Sequence, residues 1–250
     1  MISKISLMSK ATSLSYFKKL VFVVTAAAFC AALFFLPTSP ATHAEDFDNP
    51  KPGAVKWKVY DYNRIQTHPA RLPYKVPGGI GFDFLNTPDT ALLVTSHPSY
   101  KGDLLGNMTG KGLSAIVGVT VTPGTVFTYY GEPDGCGRPA NVRFYFETNT
   151  SGKFEETDYW WSNPTSVDLQ ALEAGDAALT AALSDPTQWS DYYGHFGSDP
   201  LYNAAFNQAV KDVQAIGLSF GGGCFFENGV GINAGSGSGY FRLMDFTAAP

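Results

Sequence analysis

The sequence has few of the residues that form common catalytic or metal centres. It contains three cysteines and four histidines in 250 residues, with no CxxC pair, and its GxSxG match, Gly217-Leu218-Ser219-Phe220-Gly221, places the serine inside an apolar run that reads as a strand. Zinc ligation and thiol catalysis need such side chains close together, and a serine-hydrolase elbow needs its serine on a sharp turn between a strand and a helix, whereas Gly221 to Gly223 follow this one. The histidines are spread along the chain, at His43, His68, His97 and His195. The composition therefore gives no support to zinc, thiol or serine-hydrolase chemistry.

Acidic residues are missing from the first 44 positions, whereas four of the 17 lysines and arginines lie there. The 17 residues from Leu20 to Leu36 carry no charge, and Thr42 and Ala44 put small residues where a signal peptidase cleaves. A membrane anchor needs about 20 apolar residues with flanking charge. We therefore predict a cleaved export signal over residues 1–44 and a mature chain that begins near Glu45. An uncleaved anchor is the alternative.

Loss of this signal leaves 13 basic residues against all 22 acidic ones, a net charge of −9. Such a surface does not favour nucleic acid as a partner. The remaining length and the 14% aromatic content suit one large β domain. We predict a secreted or periplasmic protein without a membrane span after cleavage, with a flexible start over residues 45–54 and a single domain over 55–250.

Cysteine is scarce, and its placement predicts a disulfide. Cys30 lies inside the signal, and Phe29 before it does not fit a lipid-attachment site. Cys136 and Cys224 remain in an exported chain, each beside glycine, where two backbone segments can approach closely. We predict a bond between them, and two separate buried thiols are the alternative.

Short apolar or alternating runs separated by Gly, Pro, Asn and Asp dominate the chain after Val55, which predicts an all-β antiparallel sandwich. Long helices that alternate with strands, as in a doubly wound parallel sheet, are missing. The predicted strands are Lys56–Tyr60, Gly79–Leu85, Ala91–Thr95, Leu113–Val121, Val126–Tyr130, Asn141–Glu147, Lys153–Trp161, Ala215–Phe220, Val230–Ala234 and Tyr240–Phe246.

Two peripheral helices are predicted within an insertion over residues 166–214. The first runs from Ser166 to about Leu183, because its leucines are spaced for one helical face. The second follows Asp199, which can cap it, and runs from Pro200 to about Val213. Each helix has one apolar stripe, so we expect both to lie outside the core sheets of a single sandwich.

The order of several motifs resembles the laminin IV type A module. These motifs are Gly102-Asp103, Gly112-Leu113-Ser114, Trp189, the strand Ala215–Phe220 that follows an amphipathic helix, and the closing strand Phe241–Phe246. The resemblance covers about residues 88–246. It implies a jelly roll of the galactose-binding-like class that is extracellular and not catalytic.

Aromatic residues and carboxylates are densest between Lys153 and Trp161. Aromatic faces can stack on sugar rings while carboxylates accept hydrogen bonds from hydroxyl groups. Strand alternation points Trp160 and Trp161 to opposite faces, so we predict that one of them faces solvent in a glycan platform. Its expected polar neighbours are Glu156, Asp158 and Asn163, and a second aromatic cluster comprises Trp189, Tyr192 and Tyr193. The alternative is that these rings only pack, in which case no tryptophan platform exists.

Two further chemistries are open. Glycoside hydrolysis needs two carboxylates across a cleft, and candidates are Glu147, Glu155, Glu156, Asp158 and Asp191. A structural calcium ion could be held by Asp245 together with Asp61 or Asp83, since hard oxygen ligands suit calcium. Alternatively, Asp245 caps a loop or pairs with Arg242. No other cofactor is expected.

The sequence therefore favours a secreted non-catalytic β-sandwich that binds extracellular glycan or matrix polymer. An enzyme that acts on polysaccharide, as a hydrolase or a lyase, is the second hypothesis. A structural envelope or matrix protein without a discrete site is the third. An exposed aromatic surface would favour binding, and a cleft with two facing carboxylates of different pKa would favour catalysis.

Overall fold

The chain folds into two antiparallel sheets that pack face to face. The computed structural model of the protein describes residues 43–44, 56–61, 70–131, 138–148, 153–223 and 228–250. Residues 40–250 form one compact unit. Every pair of neighbouring strands in the two sheets is antiparallel. The predicted all-β antiparallel sandwich is thus confirmed.

The first sheet has the order β12-β7-β15-β5-β4, and β1 pairs with β15. Its strands are β1 (His43–Ala44), β4 (Tyr74–Val76), β5 (Gly79–Asp83), β7 (Gly112–Val121), β12 (Ala177–Ala182) and β15 (Gly239–Ala249).

The second sheet has the order β10-β9-β13-β6-β14-β8, with β2 paired to β3 and β6, and β11 paired to β9. Its strands are β2 (Trp57–Asp61), β3 (Ala70–Arg71), β6 (Thr90–Thr95), β8 (Phe127–Tyr129), β9 (Asn141–Glu147), β10 (Tyr159–Trp161), β11 (Val167–Asp168), β13 (Ala215–Gly221) and β14 (Val230–Ile232). Most neighbours in both sheets are distant in sequence, as in jelly rolls.

Residue alternation along the strands forms the core. On β9, Val142, Phe144 and Phe146 lie in the main core, whereas Tyr145 belongs to a separate small cluster on the outer face of the second sheet. The rings of Phe82 and Phe241 from the first sheet contact Phe220 from the second, with centroids 5.3 and 4.9 Å apart. Segments on both sides of residue 166 therefore share one core.

The second predicted helix is confirmed in a shorter form. Helix α1 spans Asn203–Ala209 and continues as a 3₁₀ turn over Val210–Asp212. Its predicted stripe, Phe206, Val210 and Val213, is buried. The Asp199 side chain accepts a hydrogen bond from the backbone N–H of Leu201 at 2.9 Å, so it caps the turn that leads into the helix.

The first predicted helix is wrong. Residues 166–183 form the two-residue strand β11, a 3₁₀ turn over Ala171–Ala174, and strand β12 on the edge of the first sheet. Gly175, with φ of +153°, takes a backbone conformation that interrupts the helix. From Ala177 onward, burial alternates: Leu179 and Ala181 are buried, whereas Thr180 is exposed. Pairing with β7 thus imposes a period of two on Ala177–Ala182, where the leucine spacing predicted a continuing helix.

Several predictions fall outside the described residues. The disulfide partners Cys136 and Cys224 lie outside them, and so do most of the signal and the expected flexible start over 45–54. At the end of the predicted signal, His43–Ala44 pair with Thr247 and Ala248 of β15. No helix within the described part of the chain is both long and apolar enough to cross a membrane.

Candidate functional site

The predicted tryptophan platform does not exist. Trp160, Trp161 and Trp189 are exposed by 0%, 1% and 0% of their surface. Alternation is confirmed, because Trp160 packs in the main core and Trp161 packs in the outer-face cluster with Val94 and Tyr145. The prediction that one of Trp160 and Trp161 faces solvent is wrong, and so is the surface role of Trp189.

The loop after β12 explains why Trp161 is covered. Strand β10 lies at the edge of the second sheet, where one face and one edge could have remained open. Ser190 instead pairs with Trp161 through two backbone hydrogen bonds, of 2.9 and 3.0 Å. The indole N–H of Trp161 donates to the Ser219 hydroxyl at 3.1 Å. At Trp161, β10 is therefore paired along one edge with β9 and along the other edge with Ser190. The Trp161 side chain lies beneath the outer surface of the second sheet.

Four other aromatic rings form the surface above Trp161. We call Phe154, Tyr159, Tyr192 and Tyr193 the aromatic surface. Phe154 stacks on Tyr159 at 5.7 Å and meets the Tyr192 ring edge-on at 4.8 Å, and Tyr192 meets Tyr193 edge-on at 5.3 Å. Phe154 is 51% exposed and Tyr193 is 58% exposed. The structure thus joins the two aromatic clusters that the sequence indicated separately.

Trp161 supports the aromatic surface directly. Its ring lies 6.5 Å from Tyr159 in a stacked arrangement and 6.2 Å from Tyr192. The two segments are also tied by a backbone hydrogen bond of 3.4 Å from the N–H of Tyr192 to the carbonyl of Glu156. Trp161 is therefore a positioning residue for the half-buried rings.

Asp191 fixes the loop that carries Tyr192 and Tyr193. Its side chain is fully buried. Oδ1 accepts hydrogen bonds from the backbone N–H groups of Tyr193, at 3.0 Å, and His195, at 2.9 Å, while Oδ2 lies 2.9 Å from Nδ1 of His195. A buried carboxylate with this many donors is well satisfied. Asp191 therefore contributes three of the contacts that order this loop.

His195 extends this anchor to helix α1. Its ring stacks on that of Tyr202, with centroids 4.0 Å apart and planes 6° apart, and Nε2 lies 3.3 Å from the Tyr202 hydroxyl. Burial, followed by the charges of Asp191, Glu156 and Asp199, raises the pKa of Tyr202, so its phenol stays protonated at neutral pH. Both imidazole nitrogens therefore have protein partners, which link the loop to the residue that precedes α1.

The predicted polar neighbours separate into two groups. Glu156 and Asp158 belong to a 3₁₀ turn beside the aromatic surface and are half-buried. Asn163 is only 4% exposed, and its amide nitrogen donates to the Ser190 hydroxyl at 2.5 Å. Asn163 therefore positions the loop below the surface, and the prediction that it contacts a ligand is wrong.

Arg71 lies at the predicted calcium site. It pairs through Nε and Nη2 with the carboxylate of Asp61, the second contact being 2.7 Å. Its Nη1 also donates to the backbone carbonyl of Asp83 at 3.2 Å. Arg242 pairs with Asp176 at 2.5 Å and not with the alternative partner Asp245. Across the ranges that the structure describes, no group of three or more His, Cys, Asp or Glu side chains could hold a metal ion.

The sequence indicated the two segments of this surface and its Tyr192 and Tyr193, but it favoured the tryptophans over Phe154 and Tyr159. A short strand was expected through all of 153–161, which would expose one tryptophan. Only Tyr159–Trp161 is strand, so the preceding residues leave the sheet and Phe154 reaches solvent. A usable signal was the position of Phe154 between Lys153 and Glu155, since flanking charges on both sides favour an exposed segment.

These features define an antiparallel β-sandwich with an aromatic surface at the edge of its second sheet, next to the turn that carries Glu156 and Asp158, on a loop held by the buried Asp191 and its partly exposed partner His195. No protein-family model matches the chain, and no curated protein has a detectably similar sequence. The resemblance to the laminin IV type A module therefore stays a prediction.

One solved structure, described as "Prominent members of the human gut microbiota express endo-acting O-glycanases to initiate mucin breakdown", is similar to this chain. The alignment covers 83% of this chain and 98% of the other, with 10% identity and a TM-score of 0.43. A similarity at this level carries no argument about function.

Proposed function

We propose that this protein is a secreted or periplasmic, non-catalytic β-sandwich that binds extracellular glycan through the aromatic surface. The observation that carries the proposal is the pair of exposed rings, Phe154 and Tyr193, on either side of the half-buried Tyr192. Single exposed apolar residues are common, but exposed rings that contact one another in a contiguous patch are typical of an interaction surface.

The chemistry of the surface suits a sugar. An aromatic face attracts the C–H groups of a pyranose ring, and the phenol of a tyrosine adds a hydrogen-bonding group at its edge. Glu156 and Asp158 can accept hydrogen bonds from sugar hydroxyl groups. Apolar faces with a few placed polar groups are the usual composition of a small-molecule site.

The supporting contacts favour binding without rearrangement. Asp191 orders the loop, Trp161 supports the rings, and the N–H of Tyr192 bonds to Glu156. Groups that are already ordered lose less conformational entropy when a ligand binds.

The test measures how much of the purified protein is retained on insoluble polysaccharides. A second measurement is how far its migration is slowed in gels that contain soluble polysaccharides. Phe154→Ala and Tyr193→Ala should each weaken retention by about 1 to 3 kcal/mol, as the loss of an aromatic hot-spot residue does. The thermal midpoint should change little, because both rings are more than half exposed.

Leu201→Ala is the matched control. Leu201 is 84% exposed on the same loop region but is not part of the aromatic surface, so its variant should bind like the wild type. Trp160→Ala should behave in the opposite way and cost about 3 to 5 kcal/mol of stability. Normal retention by the Phe154→Ala/Tyr193→Ala double variant would reject this surface, and no retention of any polysaccharide by the wild type would favour the structural hypothesis.

A further inference from the structure

Resting on the proposed function, we propose that the aromatic surface binds internal segments of an uncharged polysaccharide and rejects anionic ones. Two observations support this specificity: the arrangement of the exposed rings, and the sign of the charges beside them.

The rings fit a chain rather than a single terminal sugar. Phe154 and Tyr193 both contact Tyr192, with ring centroids 4.8 Å and 5.3 Å from the centroid of Tyr192. The Phe154–Tyr192 planes lie at 81° and the Tyr192–Tyr193 planes at 84°. Two exposed rings with a half-buried ring between them give separate stacking positions for two sugars of one chain.

The charges on the two segments that carry the rings are mainly negative. Residues 153–161 and 191–202 contain the cation Lys153 and the histidine His195. Against these they carry five carboxylates, namely Glu155, Glu156, Asp158, Asp191 and Asp199. Asp191 is paired with His195. By charge alone, these two segments carry more carboxylates than basic side chains.

These carboxylates are close enough to act on a bound ligand. Glu155 and Glu156 follow Phe154 directly, within about 8 Å along the backbone. This is about one screening length at physiological salt, so their repulsion reaches a ligand stacked on Phe154. The same charges act locally on the protein, since Glu156 and Asp199 contribute to the raised pKa of Tyr202. A uronate or sulfate group placed here would meet like charge.

A pair of polymers with one backbone isolates the charge. Polygalacturonate is anionic, and its fully methyl-esterified form is not. The wild-type protein should be retained by the ester and by an uncharged glucan. Its retention by the anionic polymer should be weaker, by about fivefold for each close contact between a carboxylate of the protein and one of the polymer. Retention by the uncharged polymers should not depend on salt. A short oligosaccharide should compete for binding, whereas the monosaccharide should not.

Variants test the cause. Glu155→Gln/Glu156→Gln should gain retention by polygalacturonate at low salt, and Lys153→Gln is the matched control that should not gain it. Equal or stronger retention of the anionic polymer by the wild type, or competition by the monosaccharide, would overturn this inference while the proposed function stands. If Phe154→Ala/Tyr193→Ala leaves retention of every polymer unchanged, the proposed function fails as well.

Discussion

The carboxyl group of Glu147 is largely removed from solvent. It ends β9 and accepts a hydrogen bond from the hydroxyl of Tyr145. Burial raises the pKa of Glu147; the Tyr145 hydrogen bond lowers it, and the charge of Asp158 raises it further, with a net rise. The folded protein therefore binds this proton more tightly than the unfolded chain does. The contribution of Glu147 to the free energy of unfolding is therefore present below the ordinary carboxyl pKa and falls as pH rises through the folded pKa.

Glu147→Gln should remove this part of the pH dependence. The amide oxygen can still accept from Tyr145, and no charge has to be buried, so the variant should be at least as stable as the wild type at neutral pH. Urea unfolding between about pH 4 and pH 7 measures the effect, because the slope with pH reports the difference in bound protons. Glu155→Gln, at an exposed position, is the control for charge. An unchanged slope in Glu147→Gln would contradict the assignment.

Strand β12 shows how an element can be mistaken from sequence. Its six residues pair with Gly112–Val117 of β7, and its apolar residues also match a helical spacing. Alanine and leucine are strong helix formers, so local preference opposed the observed structure. The sheet edge provided long-range pairing that an isolated helix could not match.

Thr180→Ala distinguishes strand from helix by the sign of its effect. Thr180 is exposed on β12, so packing changes little. In a strand the substitution should lower the free energy of unfolding by up to about 1 kcal/mol, whereas in a helix it should raise it by up to about 0.7 kcal/mol. Ala178→Thr, on the same exposed face, is the matched reverse change and should be neutral or stabilising. Denaturant midpoints for both variants check the prediction.

At the scale of the whole molecule, Arg71 connects the two sheets. From β3 of the second sheet, its guanidinium pairs with Asp61 on β2 and donates to the Asp83 carbonyl on β5 of the first sheet. It also lies 5.8 Å from the ring centre of Phe82. One cation therefore neutralises a buried aspartate and connects both sheets.

Arg71→Ala should destabilise the fold by about 1 to 3 kcal/mol, because the Asp61 carboxylate loses its strongest donors and stays buried. Arg71→Lys should be intermediate, since lysine cannot form the paired contact. Asp61→Ala/Arg71→Ala completes a double-mutant cycle, in which a coupling energy near zero would contradict the bridge. Chemical unfolding of the four proteins gives the coupling directly.

The fold class was determined by the sequence alone. Alternating runs bounded by turn residues predicted the strands, because strand side chains repeat every two residues and the core must be apolar. The predicted bounds of β9 are those that the structure shows. The stripe of α1 and the opposite orientations of Trp160 and Trp161 follow from the same local geometry. These features depend only on neighbours in the chain.

Burial and partners were decided by the tertiary structure. Trp161 is covered because Ser190, 29 residues later, pairs with it, and Ala177–Ala182 becomes a strand because β7 offers an edge. Phe154 and Tyr193 meet through Tyr192 only when the loop held by Asp191 folds over β10. Contacts between distant segments depend on how the sheets and loops assemble, and no periodic pattern within a segment records them. The sequence therefore indicated the two segments of the aromatic surface, and the assembled fold decided which of their residues reach solvent.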